Sequence, residues 1–365
     1  MNEKLKKVCE AFRIQGTFQS YEEIKVGNVN RTYKVNYLRN DGKDKSYIVQ
    51  QVNTYVFKNP VQIMDNIDLV TEYIHTKAPT KCALHFHHTA DRKTYVFDDS
   101  GFWRLFNYIP SNTYNITDNM EIIRSAGEAF GEFQMLLSDF DASKLYETIP
   151  GFHNTKQRYE KLMTDAKSDS QGRLSRAKEE YDWLMSVREK ACRMTEMYEA
   201  GELLLRVTHN DTKINNVLFG TETDKALVVI DLDTVMPGLV GHDFGDAIRF
   251  AANFVEEDSH ELEKAGVDMN VFRAFTEGFL KLTAKSLTRN EIDTLALSSF
   301  VLTCELATRF LDDYLLGDPY FKTNYPEHNL ARTRCQVALA KDMLKKMDEM
   351  EAIVRECAAY ETTEL

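Results

Sequence analysis

The chain has no apolar run long enough to cross a bilayer, no CxxC pair, no internal repeat and no excess of positive charge. Each absence removes a class of protein. A membrane-spanning helix needs about 20 consecutive apolar residues. The first residues, MNEKLKKVCEAF, are amphipathic and lack the apolar centre of a secretory signal. The six cysteines (Cys9, Cys82, Cys192, Cys304, Cys335, Cys357) show no zinc-like spacing, and several fall in helical apolar patterns. They read as reduced thiols of a cytoplasmic protein, acting as small hydrophobes. The formal charge, 45 − 57 = −12, argues against nucleic acid or an acidic membrane as the main partner. A local pocket with a metal ion can still hold a nucleotide.

What is present suits a two-lobed protein. A length of 365 residues, 43% hydrophobic and 28% charged, exceeds one ordinary domain and is normal for a globular chain. Leu5, Val8 and Phe12 predict a first helix up to about Arg13. Alternation at Tyr33, Val35 and Tyr37, the Asn40-Asp41-Gly42 turn and the run Tyr47 to Val52 predict paired strands. Pro60 opens a helical pattern with Ile63, Ile67, Val70 and Ile74 on one face. Further strands are expected over 84–89, 94–97 and 102–108. Beyond Pro110 the spacing is helical: 120–137, 159–197 with a break near 168–172, from about Gly245, then 291–316 and 327–355. The expected fold is α+β, protein-kinase-like, with an antiparallel β lobe over 1–108 and a mainly helical lobe over 109–365.

The stretch THNDTKINNVLFGTETDKALVVIDLD, from Thr208 to Asp233, carries the chemistry. Phosphoryl transfer needs a carboxylate that orients the acceptor hydroxyl and oxygen ligands that hold a divalent metal on the nucleotide phosphates. Asp211 supplies the first. Asn216, five residues on, and Asp231, at the exit of an apolar run, supply hard oxygens suited to Mg2+. Asp233 is a second candidate at that exit, or a turn cap. Lys213 either reaches the transferring phosphoryl group or is a solvated lysine. His209 reads as structural. Asp243-Phe244-Gly245 imitates the metal triplet of protein kinases but follows a Pro-Gly turn, so Asp243 braces the catalytic loop or touches substrate.

In the β lobe, the turn Gly27-Asn28-Val29-Asn30-Arg31-Thr32 could offer backbone N–H groups to phosphates, with Gly27, Asn30 and Thr32 as candidates. A protein kinase carries a lysine on the third strand; here Gln50 stands in the matching run YIVQQVN. The backbone of 107–109, with Asn107 and Tyr108, is placed to bind adenine. Glu305 and Arg309 sit four apart on an apolar helix, as an ion pair or as the lining of a polar pocket. The cluster His85 to His88 lies on an expected surface hairpin and reads as no metal site.

Six stretches resemble the aminoglycoside phosphotransferase and choline kinase superfamily: YIVQQVN, AFGEFQMLLSDFDA, RVTHNDTKINNVL, IDLDTVMPG, DFGDAIRF and YFKTNYPEHNLARTR. The last resembles the N-acetylhexosamine 1-kinases within it. That resemblance implies ATP and Mg2+ as cofactors and phosphorylation of the anomeric hydroxyl of N-acetylglucosamine or N-acetylgalactosamine. It also implies that Arg309 and Tyr320 hold the sugar and that a third-strand glutamine is a family trait. Asn28 departs from it, standing where a relative has a histidine near sugar and phosphates. Choline, an aminoglycoside or another sugar is the alternative acceptor. A pseudokinase is disfavoured by the complete Asp211, Asn216 and Asp231 set.

Overall fold

The structure is a computed structural model and describes residues 1–25 and 29–363. It divides into a sheet unit (Met1–Asn112, Ser143–Thr148, Leu218–Met236) and a helical unit (Thr113–Ala142, Ile149–Val217, Pro237–Leu365). The α+β fold class expected from the sequence is the one observed.

In the sheet unit, α1 (Asn2–Ala11) precedes β1 (Thr17–Ile24), β2 (Arg31–Leu38) and β3 (Asp44–Val52). Then come α2 (Pro60–Lys77), β4 (Tyr95–Asp98) and β5 (Gly101–Asn107). The strands form one antiparallel sheet in the order β1-β2-β3-β5-β4. Period-two alternation sends Tyr33, Val35 and Tyr37 of β2 to one face. They pack with Val49, Trp103 and Leu105 against Leu5 and Val8 of α1 and Phe12 just after it. Full burial of such a side chain stabilises by about 1.5–3 kcal/mol, so α1 is held by its apolar stripe. The expected strand at 84–89 is reduced to an isolated bridge between Phe86 and Phe106. The reason is local: β4 takes the same edge of β5 as far as Arg104, leaving only a short stretch to pair.

The helical unit contains α3 (Met120–Leu136), α4 (Thr155–Ser168), α5 (Lys178–Ser186) and α6 (Arg188–Glu199). It continues with α7 (Val240–Ala251), α8 (Met269–Thr283), α9 (Arg289–Asp293), α10 (Leu295–Leu316), α11 (His328–Lys345) and α12 (Met347–Thr363). The break expected near 168–172 is present between α4 and α5, and the three long helical runs are broken further at Val187, at Thr294 and at Lys346. The first break turns on Asp169 and Gly172, both at positive φ. Helix α7 starts five residues earlier than Gly245, so Asp243 lies within its first turn.

Helices α3 and α8 approach closely because glycine lines their contact. A Cβ on Gly127 would lie 2.4 Å from the carbonyl oxygen of Phe275, and one on Gly278 would lie 2.0 Å from that of Arg124. This seam fixes the base on which Gln134 of α3 reaches the catalytic loop. Among the described residues no helix is long and apolar enough to cross a membrane.

Candidate active site

The short strand β6 (Arg206–Thr208) leads into the loop that carries Asp211. Buried His209 packs edge-on against Phe130 and Phe133, and its Nδ1 accepts the Asp211 N–H at 3.2 Å. Asn210 adopts the left-handed region at φ +63°, a conformation that asparagine tolerates better than most residues. The loop then closes in a single turn, Ile214–Asn216, before β7 (Val217–Phe219).

Two buried carboxylates of the helical unit, Asp243 and Asp246, hold the loop. Asp243 Oδ1 accepts the N–H of Asn210 at 2.8 Å. Its Oδ2 accepts the N–H of His209 at 2.9 Å and Gln134 Nε2 at 2.6 Å. Burial raises the Asp243 carboxyl above the usual range, opposed by His209 and these donors. Asp246 Oδ2 accepts the Thr212 N–H at 3.1 Å, and Arg249 closes on Asp246 Oδ1 at 2.8 Å. Asp246 is held below the ordinary carboxylate range because Arg249 and Lys213 outweigh its burial. Both Asp243 oxygens are therefore committed, and its exposure is 1%. The expected substrate contact from Asp243 gives way to the bracing role.

Asp211 itself is partly exposed, at 30% of its side chain. Lys213 Nζ lies 2.9 Å from its Oδ1, and Asn216 Nδ2 donates to its Oδ2 at 3.2 Å and to its backbone oxygen at 2.9 Å. Burial would lower the Lys213 ammonium, but the Asp211 and Asp246 charges raise it, so it stays protonated. Because the Asn216 amide nitrogen is spent on Asp211, its Oδ1 is the group left to meet a cation. An amide carbonyl is a hard oxygen of the kind Mg2+ accepts. The carboxylate of Asp231 is a hard oxygen donor too; Asp231 belongs to the sheet unit, where it follows β8 (Ala226–Val229) in left-handed backbone at φ +61°.

The β-lobe candidates assemble differently from expectation. Gln50 Nε2 donates to Thr32 Oγ1 at 3.0 Å, and Gln50 Oε1 accepts Arg104 Nε at 2.9 Å. Arg104 forms a buried ion pair with Asp233, and Asp233 Oδ2 accepts Asn30 Nδ2 at 2.7 Å. Asn30 Oδ1 in turn accepts the N–H of Asn53 at 3.0 Å. The side chains of Thr32, Gln50 and Asn30 thus form one internal network with Arg104 and Asp233, which takes up the Gln50 amide; for Asn30 and Thr32 the expectation concerned backbone N–H groups. Gly27 and Asn28 lie outside the described residues. The N–H groups of Asn107 and Tyr108 are also committed, to the oxygens of His85 at 3.2 Å and Ser46 at 3.3 Å. Asn107 Oδ1 pairs with His87 Nε2 at 3.0 Å. Of the three hinge donors, Ile109 N–H is the one without a hydrogen bond among the described residues.

Arg104 was not among the sequence candidates. Its signal was a lone charge inside the apolar run Phe102-Trp103-Arg104-Leu105-Phe106, at 2% exposure. A buried guanidinium is expected only where it is paired and hydrogen-bonded.

Near His242 of α7, the Glu305–Arg309 ion pair does not form. Glu305 instead takes His153 Nδ1 at 2.8 Å and Thr155 Oγ1 at 2.7 Å. The Arg309 guanidinium lies over the rings of Phe152 at 5.4 Å and Phe321 at 5.5 Å. Buried Asp313 pins the adjoining loop by accepting the N–H groups of Tyr320 at 2.8 Å and Phe321 at 2.9 Å. Tyr320 is 72% exposed. Separately, a cavity of about 420 Å3 is lined by residues including Ile214, Phe250, Glu256, Glu257, Asp258 and Gln336.

The sequence model of the phosphotransferase enzyme family (APH) matches residues 20–275. The chain belongs to that family. Solved structures agree in fold across nearly the whole length. An aminoglycoside phosphotransferase from Alicyclobacillus acidocaldarius superposes with a TM-score of 0.62 at 13% identity, covering 97% of this chain and 96% of that one. A microcompartment-associated aminopropanol kinase gives 0.62 at 14%, covering 95% and 98%. An amicoumacin kinase in complex with AMP-PNP and Ca2+ gives 0.57 at 13%, covering 93% and 96%. The phosphotransferase family thus accounts for the α+β architecture. Among the described residues no cluster of three or more His, Cys, Asp or Glu could hold a metal.

Proposed function

We propose that this phosphotransferase moves the γ-phosphoryl group of ATP to the anomeric hydroxyl of N-acetylglucosamine or N-acetylgalactosamine, giving the hexosamine 1-phosphate and ADP. The observation that carries the phosphotransfer is the treatment of Asp211. Its carboxylate is oriented by Lys213 and Asn216, yet stays open to accept a hydrogen bond from an acceptor hydroxyl. Such a carboxylate aligns the hydroxyl for in-line attack and takes up its proton. Lys213 remains cationic and lies beside it, suited to charge building on the transferring group. Mg2+ would be held by Asn216 and Asp231, and when bound it neutralises phosphate charge.

The nucleotide is assigned to 1–108 and the acceptor to 109–365. Arg309 supports the sugar assignment. It is held between two aromatic rings without a carboxylate of its own, so its N–H groups are available to a polar ligand. Tyr320 beside it offers an exposed phenol.

A second reading, an amine-bearing alcohol as acceptor, is favoured by the cavity lined by Ile214. Its lining holds three carboxylates and two guanidinium groups, with Glu257 paired to Arg249 at 2.7 Å and Asp258 to His328 at 2.8 Å, and Gln336 Oε1 is buried there without a donor among the described residues. An ammonium group would satisfy that oxygen. One assay separates the two: ATP and Mg2+ are offered with free hexosamines, choline, aminopropanol and an aminoglycoside, and phosphorus NMR identifies the product. A sugar 1-phosphate supports the first reading. Turnover only with an amino alcohol rejects it in favour of the second.

A further inference from the structure

We infer that Arg104, from β5, is the positioning residue for the metal-binding carboxylate, a role distinct from that of the third-strand lysine of protein kinases, which meets phosphate. This rests on the phosphotransfer reading and deepens it. In protein kinases that lysine pairs with a glutamate on the helix that follows. Here the third strand offers Gln50, whose register partner across the sheet is Arg104. The cation stands one strand over. Its counter-ion is Asp233, in the loop that carries Asp231.

Each arm of the guanidinium has a separate task. Nε is fixed by Gln50 Oε1 at 2.9 Å, which holds the side chain to the sheet. The terminal nitrogen pairs with Asp233 Oδ1 and also faces Met64 Sδ of α2 at 3.8 Å. Helix α2 contributes no carboxylate to this arrangement. It supplies Asn66 instead, whose Nδ2 donates to the backbone oxygen of Val235 at 2.9 Å. The segment 233–235 is therefore tied at two points to the sheet unit.

Asp231 sits immediately before this tied segment, at φ +61° and ψ +58°. A non-glycine residue keeps left-handed backbone when its surroundings over-determine it. Arg104 and Asn66 provide that restraint, so the direction of the Asp231 carboxylate depends on the Arg104–Asp233 pair. The pair has side-chain exposures of 3% and 4% and does not face solvent. Arg104 thus acts through Asp231 and not on phosphate. Lysine, with its donors on a single nitrogen and no rigid fork, matches Gln50 and Asp233 less well.

The test measures Mn2+ binding to the full chain with ADP present, by electron paramagnetic resonance, alongside ADP binding without metal. Removing Arg104 alone would strand a buried carboxylate and endanger the fold. The informative variant is therefore the double substitution Arg104→Met, Asp233→Leu, with thermal melting as the control for folding. The expected result is a Mn2+ affinity lower by roughly 10- to 100-fold, as for other residues that orient a ligand, with metal-free ADP affinity nearly unchanged. Wild-type Mn2+ affinity in the folded double variant would overturn the inference, and so would an equal loss of metal-free ADP binding. A wild-type protein that binds no Mn2+ with ADP would overturn the phosphotransfer reading itself.

Discussion

His153 Nδ1 lies 2.8 Å from Glu305 Oε1, and this bond decides what Arg309 can do. Four-residue spacing on α10 would let Glu305 and Arg309 neutralise each other. His153 and Thr155 occupy the carboxylate instead, leaving the guanidinium between Phe152 and Phe321. Arg309→Met should raise the acceptor KM by roughly 10- to 150-fold, the loss expected for hydrogen bonds from a charged group. ADP affinity should not change. Steady-state kinetics with the identified acceptor checks this, and an unaltered KM would remove Arg309 from the acceptor site.

The same bond makes Glu305 a source of acid sensitivity. Burial alone would raise its carboxyl, but His153, Thr155 and Arg309 override it and hold the value at about 2. Its ordinary value is 4.5, so the folded state favours the charged form. A depression of this size is worth about 3 kcal/mol of stability above pH 4.5. That contribution fades as pH falls toward 2. Glu305→Gln should therefore lower stability more at pH 6 than at pH 3, the difference closing only near pH 2. Denaturant unfolding at the two pH values tests this; a constant difference would refute the assignment.

Asp211→Asn removes the proton acceptor while keeping the shape of the group. Turnover should fall by roughly 10²- to 10⁴-fold, the usual contribution of a positioned base. ADP binding, measured by calorimetry, should stay within experimental error of wild type. Turnover near the wild-type level would reject Asp211 as the base.

Gly278→Ala tests the α3–α8 seam. The new methyl would sit 2.0 Å from the Arg124 carbonyl oxygen, which belongs to backbone and cannot rotate away. The helices must separate, and overpacking of this kind costs about 1–3 kcal/mol. Gln134 of α3 would shift with them, so a lower melting temperature should come with reduced turnover. A melting temperature equal to wild type would show the seam to be more compliant than the structure implies.

Much of the fold was legible because its signals are local. Alternation at Tyr33, Val35 and Tyr37, proline at the start of α2 and the helical stripe of α1 each report one element from its own residues. The same holds for the catalytic loop, where Asp211 and Asn216 are five residues apart and close in one turn. Breaks at Thr294 and Lys346 were hidden, since apolar periodicity runs on through a short kink. The side-chain network of the β lobe was hidden for another reason. The polar groups of Asn30, Thr32 and Gln50 suit a ligand or a neighbour equally well, and nothing in their spacing distinguishes the two.

By itself the sequence determined the α+β class, the phosphotransferase motifs and the acidic chain, all properties of residue type and short-range spacing. Tertiary structure decided which polar groups are spent. It joined Arg104 to Asp233, 129 positions apart in the chain, gave Glu305 to His153 and committed Asp243 to the loop backbone. A buried charge must find a partner at close range, because the penalty for leaving it unpaired exceeds the small net gain of an ordinary hydrogen bond. Which partner lies within reach is fixed only when strands and helices pack.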